Sequence, residues 1–326
     1  VQQLCRDNDI FYNIEYRKPL PKQRFSYFYN KPSYMKHFFT TLAFVSVSVA
    51  VHAQVRVTQH TAPLAGSTVL SNVEDKFNAQ VFNLEAPSPD ANIEKKKLYE
   101  IKQQQAATYP HKRTGAQYKT TAAATPVVAI GFVADSFPGV PPDNDMAISK
   151  QNKAVSVINS NIAVLDGNTG QMNYRKGLLN YSVVVGLNNF QKDYRYDPKV
   201  IYDPEADRFI SVMLNGVNEA NWIVLGFSRT NDPAGAWNFY KLYGDYKPDT
   251  TWFDYPCIAI TKDEFFLTGN KIKNNTSWQA GFSETVIYQV DKKAGYDSAA
   301  TLNYQVWDNI ATPDGRKIRN LYPVKG

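Results

Sequence analysis

Three features of this sequence predict an all-β fold. From Pro126 onward, short runs rich in β-branched and aromatic residues follow one another, separated by Asp, Asn, Gly and Pro: AVSVI, NIAVL, KVIYD, RFISVML, WIVLGFS, WNFYKLY, CIAIT, EFFLTGN and TVIYQVD. Three segments share one plan, beginning at Asp143, Asp197 and Asp254, 54 and 57 residues apart. Each goes from Asp into an apolar strand, through a polar turn and into a second apolar strand. A period of about 50 residues with roughly four strands per unit narrows the expectation to a β-propeller of four-stranded blades.

In chain order, the first element is a segment that reads as a start. MKHFFTTLAFVSVSVAVHA, Met35 to Ala53, has a cationic head, an apolar run and a V-x-A end. This is the order of a cleaved secretory signal. The run is too short for a spanning helix, which needs ~20 apolar residues, so no transmembrane segment is expected. Residues 1–34 then read as an upstream extension outside the native protein. Gln54, not Cys, follows the cleavage point, so a lipoprotein is not expected. The location implied is secreted or cell-surface.

Residues 54–125 are polar and read as a flexible leader with one short helix, capped by Ser88 or Asp90 and stopped by Pro110. Residues 126–326 carry the strand pattern. The second unit gives strands at Lys199–Tyr202, Arg208–Leu214, Trp222–Ser228 and Trp237–Leu242. The third gives Cys257–Thr261, Glu264–Thr268, Glu284–Val290 and Thr301–Trp307. A fourth blade is expected to open near Asn320. Three blades and one strand do not close a ring, so the reading is of a propeller cut short at its C-terminus.

Charge and cysteine use limit the function. The net charge is +6, but seven of the 36 Lys/Arg and three of the 30 Asp/Glu precede Gln54, which leaves +2 for the rest. That is too little to point to nucleic acid. Cys5 lies upstream, so Cys257 stands without a disulfide partner. His37, His52, His60 and His111 all precede Pro126, which argues against histidine-based hydrolysis or metal ligation in the strand region.

SRTNDPAGAW places Thr230, Asp232 and Trp237 at the spacing of an Asp-box turn, with Gly235 one position late. In such a turn the carboxylate accepts backbone N–H groups and the indole packs beneath. Together with PPDNDMAIS, VINSNIAVLDGNTG, DPKVIYDPEADRF and DYPCIAIT, it resembles a family of large exported bacterial β-propeller proteins with sialidase-like repeats. The resemblance covers about Pro126 to Gly326. It implies a type IX secretion substrate, often with a C-terminal sorting domain, which this sequence does not contain.

Two functional classes follow: a binding or adhesion module for an extracellular glycan or protein partner, and a sialidase-like or other glycoside hydrolase. The hydrolase would draw on Arg175, Arg195, Arg208, Arg229, Arg316 and Arg319 with Glu205, Glu219, Glu264 or Glu284. These residues fall mostly at turns, where a solvated charge is the simpler reading, and no catalytic residue is assigned. Trp252, Phe253 and Tyr255 in DTTWFDYP are the candidate contact surface, or else core filling. Asp143, Asp197 and Asp254 either cap their own strands or gather into an acidic ring for a cation such as calcium or a polar ligand. DGNTG from Asp166 lacks the later Glu of a calcium loop and reads as a hairpin turn. No organic cofactor is implied.

Overall fold

The computed structural model describes residues 55–75, 91–108, 130–136, 141–187, 194–218, 221–276, 278 and 280–324. The upstream extension, the signal reading of Met35–Ala53, His37, His52, His111, Glu219 and the helix caps Ser88 and Asp90 lie outside the described residues.

Strand β1 (Arg56–Val69) is followed by helix α1 (Ala91–Thr108) and then by a hairpin-connected series. Strands β2 (Asp145–Ile148), β3 (Lys153–Ile158), β4 (Asn161–Asp166) and β5 (Met172–Gly177) lead into helix α2 (Leu178–Ser182). Next come β6 (Arg195–Asp203), β7 (Arg208–Asn215), β8 (Trp222–Ser228) and β9 (Ala236–Tyr243). Last are β10 (Thr251–Ile260), β11 (Glu264–Lys273), β12 (Phe282–Asp291), helix α3 (Lys292–Tyr296) and β13 (Thr301–Asp308). The strands named for the second and third units all form, although β6, β10 and β11 run four to six residues beyond one of their expected bounds.

The propeller expectation is overturned by the way these strands join. Only β2–β5 make a separate four-stranded sheet. Meanders β6–β9 and β10–β13 are linked through β1 into one nine-stranded sheet, in the order β10-β11-β12-β13-β1-β9-β8-β7-β6. That sheet is nearly closed and barrel-like. Its end strands approach each other, with the Tyr196 hydroxyl 3.4 Å from the Phe253 carbonyl and the Tyr196 and Trp252 rings edge to face at 6.2 Å. The repeat in the sequence is therefore a repeat of antiparallel meanders, not of independent blades. Nor does a further blade open near Asn320: among the described residues no strand follows β13.

β1 was not anticipated in a segment read as leader. Its polar, small-residue sequence hides a strand held mainly by backbone pairing. Arg56–Pro63 pair with Asp308–Thr301 of β13, and Leu64–Val69 then pair with Tyr240–Ala236 of β9. The changeover needs Gly66, where a Cβ would stand 2.4 Å from the Val184 carbonyl oxygen. Arg56 anchors one end, donating from Nε and Nη2 to the buried Asp308 carboxylate at 2.8 and 2.6 Å. Tyr246 donates to the same carboxylate at 2.5 Å, and Lys247 bridges Asp308 at 3.3 Å and Glu284. Burial pushes Asp308 upward, but the hydrogen bonds from Arg56 and Tyr246 outweigh it and hold the carboxyl below its usual range.

His60 therefore belongs to the folded region, contrary to the sequence reading. Its ring stacks on Tyr304 at 5.3 Å and meets Tyr246 edge-on at 5.6 Å, and burial lowers its pKa.

Both faces of β6–β9 are covered. Ile210, Val212, Leu225, Phe227 and Tyr240 pack with Phe253, Leu267, Tyr288 and Val306 from the third meander. Phe209, Met213, Val224, Trp237 and Phe239 face Val155, Val157, Ile162 and Val164 of the four-stranded sheet. This double burial explains why RFISVML and WIVLGFS read as continuous apolar runs instead of alternating ones. Helix α1 forms where expected, and Lys96–Thr108 are exposed on all sides.

Candidate binding site at the strand-leading loops

Of the acidic residues singled out in the sequence, Asp143 lies in the loop before β2, whereas Asp197 and Asp254 lie near the starts of β6 and β10, inside the strands at bulges. The two bulges are built alike. In β6 the pairing with β7 breaks between Tyr196 and Lys199, and in β10 the pairing with β11 breaks between Asp254 and Cys257. Each bulge contains a proline, which lacks the N–H that a ladder would need. Each also contains a residue with left-handed backbone, φ 47° at Asp197 and 61° at Tyr255; Asp143 has φ 40°. Alignment by bulge makes Tyr255 the counterpart of Asp197, so Asp254 sits one position earlier. The sequence reading of one shared position for all three aspartates is corrected accordingly.

Buried asparagines stitch the loops together. The Asn159 side chain accepts from the Asp197 backbone N–H at 2.8 Å and donates to the Pro141 carbonyl at 3.2 Å. One meander later Asn221, fully buried, accepts from the Phe253 N–H at 2.8 Å and donates to the Gly216 carbonyl at 3.1 Å. Asp145 adds a third tie, accepting from the Val200 N–H at 3.1 Å.

The aspartates are thereby brought within electrostatic reach of each other. Asp197 is half-buried. Burial, then the charges of Asp254 and Asp143, push its carboxyl well up. Burial likewise pushes Asp254 up to about 6, against the Tyr255 backbone N–H and the charge of Arg319. Among the described residues no three His, Cys, Asp or Glu side chains stand close enough to hold a metal ion together.

The aromatic trio divides. Phe253 is fully buried against Tyr288 at 5.5 Å, and Trp252 is nearly so against Tyr196. Both fill core. Tyr255 is 38% exposed, its ring edge-on to Tyr322 at 5.9 Å with the two hydroxyls hydrogen-bonded, and Tyr322 is 50% exposed. Tyr322, missed in the sequence, comes from a segment beyond the last strand. That segment is docked by side chains: Thr285 Oγ1 donates to the Ile318 carbonyl, Asn270 Nδ2 to the Asn320 side-chain oxygen and Thr268 Oγ1 to the Leu321 carbonyl, at 2.5–2.6 Å. Arg319 donates to the Trp278 carbonyl at 2.8 Å and lies over the Phe282 ring.

The hydrolase residues are not gathered into one site. Arg175 pairs with Asp135, Arg195 donates to the Leu187 carbonyl, Arg208 to the Ala206 and Asp207 carbonyls, and Arg316 to Asp314. Arg229 is exposed in a turn, as is Glu205. Glu284 is buried against Lys247, and Glu264 begins β11 half-buried. At the SRTNDPAGAW turn, Asp232 accepts from the Ala234 N–H at 3.1 Å and its own N–H meets Thr230 Oγ1 at 3.3 Å. Gly235 donates to the Asp232 carbonyl at 3.0 Å, and the buried Trp237 indole donates to the Pro233 carbonyl at 2.8 Å. Asp166 forms a hairpin turn, accepting from Asn168 and Thr169. No helix among the described residues is long and apolar enough to cross a membrane. No family model, curated protein or solved structure matches this chain.

Proposed function

We propose that this chain is an exported binding module whose ligand, an extracellular glycan, is held at the strand-leading loops by Tyr255, Tyr322 and the neighbouring Asp254, Asp197 and Asp143. The observation that carries the reading is Tyr255. A bulky residue with left-handed backbone is strained, and such strain persists where a site demands it. Here the strain accompanies an exposed aromatic pair beside carboxylates. Flat rings stack on the apolar faces of sugars while carboxylates accept their hydroxyl protons, so the combination suits a polyhydroxylated ligand.

Binding, and not hydrolysis, is favoured because Glu284, the most buried glutamate among the described residues, is engaged by Lys247, and Arg195, Arg208, Arg316 and Arg319 have separate partners. The test is a glycan array probed with wild type and with Tyr255→Ala, Tyr322→Ala and Asp254→Asn. Selective retention of one glycan class, weakened at least tenfold by each change, is expected. Equal retention by all four proteins would remove the site. Export by the Met35–Ala53 signal predicts that secreted protein begins at or next to Gln54.

A further inference from the structure

β1 joins two meanders yet lies at an edge of each. Its first half pairs only with β13 and its second half only with β9, so each half is the outermost strand of its own ladder. Most of its side chains are exposed or half-exposed; Ala62 within the strand and Leu70 and Val73 just after it are the buried apolar anchors. To these are added the His60 ring against Tyr304 and Tyr246, Arg56–Asp308, the Ser67–Asn238 contact at 3.0 Å and the backbone hydrogen bonds, all of which any copy of the same segment makes equally well. In sequence, β1 is separated from β2 by residues 70–144, including the solvent-surrounded α1.

We propose that β1 is an exchangeable strand, and that the β13 and β9 edges it covers accept β1 from a second copy of this chain. A swapped pair makes the same ladders, the same Arg56–Asp308 contact and the same burial of Leu70 as the single chain. The balance between them is set by the local concentration that the connection gives β1 around its own slot. That concentration is about millimolar for short flexible tethers and falls as roughly the −3/2 power of length. Leu70, Val73 and Asp75 are docked and travel with β1, and the chain meets the four-stranded sheet again at Asp135, so the connection is 76–134, a length that places the crossover below millimolar protein, within reach at a crowded surface. Edge strands with long connections are where strand exchange occurs.

The test uses the full chain with Cys5 and Cys257 changed to Ser, in two versions carrying Thr61→Cys or Asn303→Cys. These two positions face each other in the β1–β13 register and are both exposed. The versions, one isotopically labelled, are unfolded, mixed and refolded from about 5 μM to about 0.5 mM. A dimer fraction that rises at least threefold across the range, with a disulfide-linked heterodimer in the dimer peak and not in the monomer peak, is the expected result. Chains folded separately and then mixed should not cross-link.

The proposal is overturned by an absence of dimer throughout, by dimer without the heterodisulfide, or by equal cross-linking of the separately folded chains. If either variant fails to fold, Gln59→Cys with Gln305→Cys reports the same register.

Discussion

Tyr255 occupies, at the bulge of β10, the left-handed backbone position that Asp197 occupies at the bulge of β6, with φ 61° and 47° respectively. Asp tolerates this region through local hydrogen bonds; an aromatic residue has no such help. Two meanders thus share a backbone device, and the third exploits it to turn a large ring outward beside Asp254.

The backbone strain at Tyr255 is measurable by comparing two substitutions that both remove the ring. Asn accepts positive φ and Val does not, so Tyr255→Val should be about 1–2 kcal/mol less stable than Tyr255→Asn in chemical denaturation. Equal midpoints would show that the loop relaxes and that no strain is held there.

Asp254 should make stability depend on pH between about 4 and 6. Its carboxyl lies near 6 in the fold, above the value of about 3.9 for an unfolded Asp, so the folded state favours the protonated form. Below pH ~4 both states are protonated and nothing is lost; as pH rises through about 6 the fold carries an unfavourable charge. Asp254→Asn should therefore be more stable than wild type at pH 7, on the order of 1–2 kcal/mol after solvent screening, with the gap closing below pH ~4. A gap that is constant with pH would contradict the assignment.

Asp308 has the opposite sign. Its folded carboxyl is depressed, so its contribution is complete above the unfolded value of about 3.9 and is lost as pH falls through the lower folded value. Asp308→Ala leaves Arg56, Tyr246 and Lys247 without their shared acceptor and should cost about 1–3 kcal/mol at neutral pH, since Arg56 is solvated and Lys247 keeps Glu284. Thermal melts of this variant should show a shallower loss on acidification than wild type does. A cost under ~0.5 kcal/mol would mean that the Asp308 carboxylate contributes little to holding β1.

Asn221 ties the second meander to the start of β10. Asn221→Ala leaves the buried Phe253 N–H unsatisfied and takes from the Gly216 carbonyl one of its two donors, the Tyr196 hydroxyl remaining at 2.9 Å, and should cost about 1–3 kcal/mol. Because Phe253 precedes Asp254 and Tyr255, glycan binding should weaken with it. Unchanged binding in a destabilised variant would separate the loop's support from the site.

The sequence alone determined local structure wherever burial or turn chemistry leaves a local signature. Strands β6–β13 are written as apolar runs because each meander is buried on one or both faces. The Thr230–Trp237 turn is written in residues that satisfy their own backbone. The helix at Ala91–Thr108 shows in its composition. The Asp-led period marked three loops, and those loops do converge.

Tertiary structure alone decided how the meanders assemble. β1 is recognised by its hydrogen-bonding partners, not by its side chains, and backbone pairing leaves no trace in a polar sequence such as RVTQHTAPLAGSTV. That one strand turns two repeat units into a nine-stranded sheet and brings His60 into the folded region. The same limit applies at the site. Trp252, Phe253 and Tyr255 are alike in sequence, but successive strand residues face opposite ways and a bulge resets the alternation. Two rings therefore enter the core and the third meets Tyr322, 67 residues away, on a segment docked by Asn270, Thr268 and Thr285 side chains reaching from the sheet and by Arg319.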